Sequence, residues 1–257
     1  MYIANYHTHT ARCKHAVGTD REYVERAIEA GLRTLGFSDH APYAFPDGHV
    51  SPIRMDVGQL EDYVASLSAL RTEYRNDISI LIGYEAEFFP ALFDGLLAEL
   101  DVFGFDYLIL GQHFLETEGF DNYAGRGLRD GAFLTRYADL IIAGMETGRF
   151  LFLAHPDLLH FAGDPETYRT QNLRICRRAK ELNIPLEINM QGYRENRGYP
   201  SETFFRIAAE AGCTVVIGAD AHSPDAVADL SACDGCRAFA AKLGLTVADT
   251  LPVVRKL

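Results

Sequence analysis

Short apolar runs alternate with longer amphipathic stretches from one end of the chain to the other. The apolar runs at 2–6, 34–38, 78–84, 107–110, 150–154, 185–188 and 214–217 predict strands. The run at 78–84 is almost unbroken, as expected where both faces of a parallel sheet are covered. Between these runs, apolar positions spaced by three and four predict helices at 19–30, 56–74, 91–99, 130–147, 165–182 and 201–211, and the last forty residues also read as helix. Leu60, Val64, Leu67 and Leu70 show that spacing clearly. Thr19 with Glu22 forms a capping box, Gly31 supplies a stop, and Asp56 is a candidate cap. Residues 42–52, rich in Pro, Gly and aromatics, and the polar stretch 116–129 read as loops.

Strands alternating with helices imply a parallel sheet, and seven such units in 257 residues suggest a closed barrel. No linker-like or low-complexity segment interrupts the rhythm, so residues 1–257 are expected to form one domain. The similarity of 27–31 before Ser38-Asp39-His40 to 208–212 before Ala219-Asp220-Ala221-His222 reflects recurrence of the βα unit. Composition adds little until charge is considered. With 24 basic and 36 acidic residues the formal charge is −12, which disfavours nucleic acid and anionic membranes and leaves small anions open. No stretch reaches the ~18 apolar residues of a membrane helix, and no basic region leads into an apolar run near residue 1. Five scattered cysteines, with one isolated Cys233-x-x-Cys236, suit a reducing compartment, and the cytoplasm is expected.

The candidate chemistry sits at the strand ends. His7 and His9 follow the first run, His40 the second, Glu85 the third, His113 the fourth, His155 the fifth, and Asp220 with His222 the last. His15 lies in the first loop. In a parallel barrel those ends share one rim, so nine nitrogen and oxygen donors would converge there. One zinc takes three or four such ligands, so two or three divalent ions (zinc, manganese or iron) are implied. Carboxylates commonly bridge ions, which casts Glu85 and Asp220 in that role. Asp39 and Glu87 fit better as supports behind the ligands. His49 and His160 are expected to be structural.

Taken together, His7-Thr8-His9, Ser38-Asp39-His40, Gly83-Tyr84-Glu85, Gly111-Gln112-His113, Ala154-His155-Pro156 and Gly218-Ala219-Asp220-Ala221-His222 resemble the polymerase and histidinol phosphatase (PHP) family over nearly the whole chain. The resemblance implies a distorted (β/α)7 TIM-like barrel with a trinuclear metal centre. By it, one ion would be held by His7, His9, Glu85 and Asp220. A second would share Glu85 and take His113 and His155, and a third would take His15, His40 and His222. Within the family, Cys13-Lys14-His15-Ala16, Asp39-His40-Ala41-Pro42, Arg54-Met55 and Phe105-Asp106-Tyr107 look most like histidinol-phosphate phosphatase, whereas Gln112 departs from the commoner Ser-Val.

The implied reaction is hydrolysis of a phosphate monoester by a metal-bridging hydroxide, with Asp220, Glu85 and His222 as catalytic groups. Arg194 and Arg197 are candidate phosphate contacts, with Arg54 and Lys14 as weaker ones. Asp157, Asp39 and a metal-bound water stay open as the leaving-group acid. Histidinol phosphate, and with it a place in histidine biosynthesis, is the expected substrate. A nucleotide, sugar phosphate or phosphotyrosine ester is the alternative, and a non-catalytic metal-binding module is the third reading. Apart from the small ester, no nucleic acid or membrane partner is expected, and a homo-oligomer is left open.

Overall fold

The computed structural model describes residues 3–253. The predicted start of the first strand at Tyr2 therefore lies outside the described residues. Eight parallel strands, in chain order, make one curled sheet: β1 (Ala4–Asn5), β2 (Thr34–His40), β3 (Ser79–Ala86), β4 (Tyr107–Leu110), β5 (Phe150–Leu153), β6 (Leu186–Asn189), β7 (Thr214–Gly218) and β8 (Thr246–Val247). Around them lie α1 (Asp20–Glu29), α2 (Leu60–Glu73), α3 (Phe93–Phe103), α4 (Gly131–Glu146), α5 (Pro165–Leu182), α6 (Met190–Glu195), α7 (Glu202–Glu210), α8 (Pro224–Val227) and α9 (Leu230–Lys242).

The local chemistry accounts for most boundaries. The Thr19–Glu22 capping box starts α1, and Gly31 follows it with φ +83°, a conformation that costs glycine no Cβ clash. Asp130 caps α4; Asp164 caps α5, with Pro165 in its first turn. Two elements were not legible. The short helix α6 is capped by the strand-end residue Asn189, and β8 is too short to show a period.

The ring closes unevenly. At the strand C-terminal ends Thr8 pairs with Ala221, and the His9 amide donates to the Ala221 carbonyl at 2.9 Å, joining the first unit to the seventh. At the other end β8 pairs with β7 instead. Register also slips between Leu108 and Leu110 where β4 meets β5. The expectation of seven strands is thus met by seven that reach the rim plus one short strand at the base, and these seams make the barrel distorted.

Alternation sorts side chains between inside and outside. Leu35, Phe37, Ile80, Leu108 and Ile188 face the helices and pack with Tyr23, Tyr63, Leu67 and Phe204. Inside, Tyr6, Leu81, Tyr107, Phe152 and Val216 plug the barrel. The Tyr107 hydroxyl lies 2.8 Å from the Tyr6 carbonyl and 3.0 Å from that of Phe37. On β3 the inward series runs Leu81, Gly83, Glu85, so a carboxylate arrives above the plug by simple period two. No helix among the described residues is long and apolar enough to cross a membrane.

Candidate metal centre

All nine donors picked from the sequence meet at this rim. Glu85 lies in the middle: its Oε1 is 2.7 Å from His155 Nε2 and 3.6 Å from His113 Nε2, and its Oε2 is 3.1 Å from His40 Nδ1 and 3.5 Å from Nε2 of both His7 and His9. Asp220 Oδ1 stands 3.1 Å from His9 Nε2 and 3.5 Å from His7 Nε2. On the solvent side the His15 and His222 Nε2 atoms face each other at 2.9 Å. Groups of donors close enough to share one ion include His7–His9–Asp220, His7–Glu85–His155 and His9–His40–His222.

The fit to cations follows from which nitrogens carry hydrogen. His15 Nδ1 donates to the Cys13 carbonyl at 2.7 Å, and His222 Nδ1 lies 3.1 Å from the Asp220 carbonyl. Their Nε2 atoms are then both lone pairs, pointed at each other. His7 Nδ1 lies 2.7 Å from Glu187 and its Nε2 faces His9 Nε2 at 3.2 Å; burial lowers His7, but Glu187, Asp220 and Glu85 raise it well above its ordinary value, so a cation there takes the place of a proton. Glu85 Oε2 is buried without a hydrogen-bond partner. Lone pairs facing lone pairs repel in isolation and are what a shared cation relieves.

Electrostatics agrees. Burial pushes the Glu85 carboxyl up, but His113, His40, His7 and His155 outweigh it and hold the group well below the usual range. Asp220 is likewise lowered, by His7, His9 and His222 against burial. Burial and His9 press His222 down to about 3, and burial keeps His40 low too. Those imidazoles are neutral donors near neutral pH. Burial lowers His9, but hydrogen bonds to Asp220 and Asp39 raise it to about 9. A cation arriving there displaces a proton, so uptake is pH-dependent. His155 (φ +27°) and Asp220 (φ +46°) adopt backbone conformations rare outside glycine, a strain that clusters at functional sites.

The supporting residues are equally specific. Asp39 accepts from the Thr10 amide at 3.2 Å and stands 3.4 Å from His9 Nδ1. Glu87 Oε1 holds His113 Nδ1 at 2.9 Å and takes Arg54 Nη2 at 2.5 Å. Both lie behind ligands, as the sequence suggested. His49 pairs with Glu118 at 3.0 Å, and Lys14 reaches the Ser51 carbonyl and Asp56. Arg54, weighed as a phosphate contact, is fully buried between Glu87 and Glu118, with its guanidinium 5.6 Å over the Tyr43 ring. Gln112 is structural: it accepts from the Phe88 amide and donates to the Phe114 carbonyl. Arg197 pairs with Glu195 at 2.6 Å, while Arg194 lies 3.3 Å from Glu195 and 3.8 Å from Asp229.

Glu187, Asn189 and Asn5 were not singled out from the sequence as parts of the site. Asn5 fixes the first loop by donating to Thr8 Oγ1 at 2.6 Å and accepting from the Ala219 amide. The signal for the other two was a lone acid inside the apolar strand Leu186–Asn189, two positions before Asn189. A glycine makes room for Glu85 and for Glu187: a Cβ on Gly111 would collide with the Glu85 carboxylate, and one on Gly218 with that of Glu187. Gly111→Ala is therefore expected to displace Glu85 and cut bound zinc to less than half the wild-type content, read by elemental analysis; full occupancy would show that Glu85 can shift without consequence.

The comparisons agree with this arrangement. The family model described as "PHP domain" matches residues 5–191. The Deinococcus radiodurans protein named "Probable histidinol-phosphatase" is 33% identical over 233 residues, covering 88% of each chain. The Bacillus subtilis histidinol-phosphatase is 34% identical over 118 residues, or 44% of each. Among solved structures, histidinol phosphate phosphatase from Lactococcus lactis, complexed with zinc, L-histidinol and phosphate, superposes with a TM-score of 0.73 over 98% of this chain and 99% of that one, at 18% identity. By sequence, fold and rim geometry, the chain belongs to the PHP domain family.

Proposed function

We propose that this protein is a metal-dependent phosphomonoesterase that hydrolyses histidinol phosphate to histidinol and phosphate. The observation that carries the reading is the convergence of Glu85, Asp220 and seven histidines on one rim, in a chain 33% identical to a relative named for that activity. On this reading His7, His9, Glu85 and Asp220 hold one ion, Glu85, His113 and His155 a second, and His15, His40 and His222 a third. Such ions supply charge neutralisation of the phosphate dianion and a nucleophile at neutral pH. The chain's own part is to aim nine donors at one point and to keep Glu85 and Asp220 ionised there. The reading of the chain as one barrel domain is supported by a sheet that recruits strands from residue 4 to residue 247.

Arg197 is the better of the two arginine candidates for contacting substrate. It lines a cavity of about 620 Å³ with Asp157, His160 and Tyr199, and the Tyr199 ring is 6.3 Å from that of His155. Arg197→Ala should raise KM about tenfold, near the ~1.4 kcal/mol that separates decades, and His160→Ala much less; equal and negligible changes would remove Arg197 from the substrate path. The deciding experiment for the activity is phosphate release from histidinol phosphate beside nucleotides, sugar phosphates and phosphotyrosine. A preference for histidinol phosphate below tenfold would assign the centre to another small phosphate ester.

A further inference from the structure

The geometry points to Glu187 as the positioning residue that sets the register of three metal ligands at once. It touches none of the space between the donors; it acts through His7, His155 and Asp220. Its Oε1 lies 2.7 Å from His7 Nδ1. Its Oε2 accepts from the His155 backbone amide at 2.9 Å and from Asn189 Nδ2 at 2.9 Å. The same Asn189 amide donates to Asp220 Oδ2 at 3.0 Å, while Asn189 Oδ1 caps α6 by accepting from the Gly192 amide at 2.8 Å. Glu187 is completely buried.

Each contact has a separate consequence. Accepting from Nδ1 forces the His7 hydrogen onto that nitrogen and leaves Nε2 as the donor that faces His9, Glu85 and Asp220. Accepting from the His155 amide holds a residue whose φ of +27° is otherwise unfavourable, and so aims Nε2 at Glu85. Through Asn189, the non-facing oxygen of Asp220 is occupied and Oδ1 is left for the centre. One carboxylate thus ties β1, β5, β6 and β7 together at the rim. That demand also explains why Gly218, the β7 neighbour of Asn189, has no side chain.

This inference rests on the metal reading of the centre but not on the identity of the substrate. Two variants approach it from opposite sides. In Glu187→Gln, an amide oxygen turned to His7 presents an NH2 to two donors, whereas an oxygen turned to His155 gives His7 Nδ1 a donor and moves its hydrogen to Nε2. In Gly218→Ala the carboxylate and all nine donors stay, but a methyl group pushes Glu187 away from His7. The full-length protein is stripped of metal and titrated with zinc against a chromophoric chelator. In parallel, the ring nitrogens of histidine-labelled, zinc-loaded protein are followed by NMR. Both variants should bind zinc about 10- to 100-fold more weakly; because the orientation with oxygen on His155 opposes no pair of donors, Glu187→Gln should also lose the Nδ1–H signature of the His7 imidazole. Zinc affinity within threefold of wild type in Glu187→Gln would overturn the proposal. If that variant does not fold, unchanged affinity in Gly218→Ala overturns it. Wild-type protein that takes up no zinc overturns this inference and the metal centre together, whereas normal zinc binding without phosphatase activity counts only against the proposed function.

Discussion

Asp220→Asn should lower kcat by about 10³-fold or more, equivalent to ~4 kcal/mol of barrier, while the metal-free protein melts no lower than wild type. The two halves of this expectation have different causes. Asp220 Oδ1 faces Nε2 of His7 and His9, and Oδ2 accepts from Asn189. In the asparagine variant the amide oxygen keeps the Asn189 bond and the NH2 turns towards His7 and His9; without the Asp220 charge those rings give up protons more readily, and an Nε2 lone pair can then accept from it. The backbone at φ +46° suits asparagine better than most residues. Fold and packing are therefore conserved or slightly improved. What disappears is an anionic oxygen among donors that share cations, along with the charge that helps hold His9 in place. Phosphate release under saturating zinc or manganese, beside a melting curve of the stripped protein, measures both. Turnover within tenfold of wild type would exclude Asp220 from the set that holds the ion beside His7 and His9.

Much of this site could be read from the sequence because its parts lie where strand periodicity ends. His40, Glu85, His113, His155 and Asp220 each close an apolar run, and a parallel barrel brings such ends to one rim. Separation along the chain is thus no obstacle to detecting them. The supports were harder to see, for an opposite reason. Glu187 lies inside a strand, where a single acid is easily taken for an exposed position, and only the inward phase of β6 shows that it is buried. Arg54 lies in a segment with no period at all, between the loop at 42–52 and α2, so nothing local predicts that it is enclosed. The two-residue strand β8 is set by its pairing with β7 at the seam of the barrel, and the six-residue helix α6, though capped by Asn189 and Asn196, is too short to show a period.

Arg54 gives the second large effect, on stability. Its guanidinium is fully buried; Nη2 meets Glu87 at 2.5 Å, Nε meets Glu118, and both carboxylates are almost fully covered. Burial alone would lower the arginine, but Glu87 and Glu118 more than compensate, and Arg54 and His113 in turn outweigh burial in lowering Glu87. Arg54→Ala removes the shared cation and leaves two desolvated carboxylates without it. Breaking such a buried pair from one side costs about 3–5 kcal/mol. Lysine is not an adequate substitute, because one ammonium cannot present the planar fork that meets Glu87 and Glu118 together. Through Glu87 the loss also reaches His113 Nδ1, and through Glu118 it frees the contacts to His49 and Ser51 that pin one rim loop to the next. Urea unfolding of the metal-free protein should thus show Arg54→Ala destabilised by about that amount and Arg54→Lys by part of it. If Arg54 served mainly as a phosphate contact, the unfolding midpoint would stay in place and KM alone would rise.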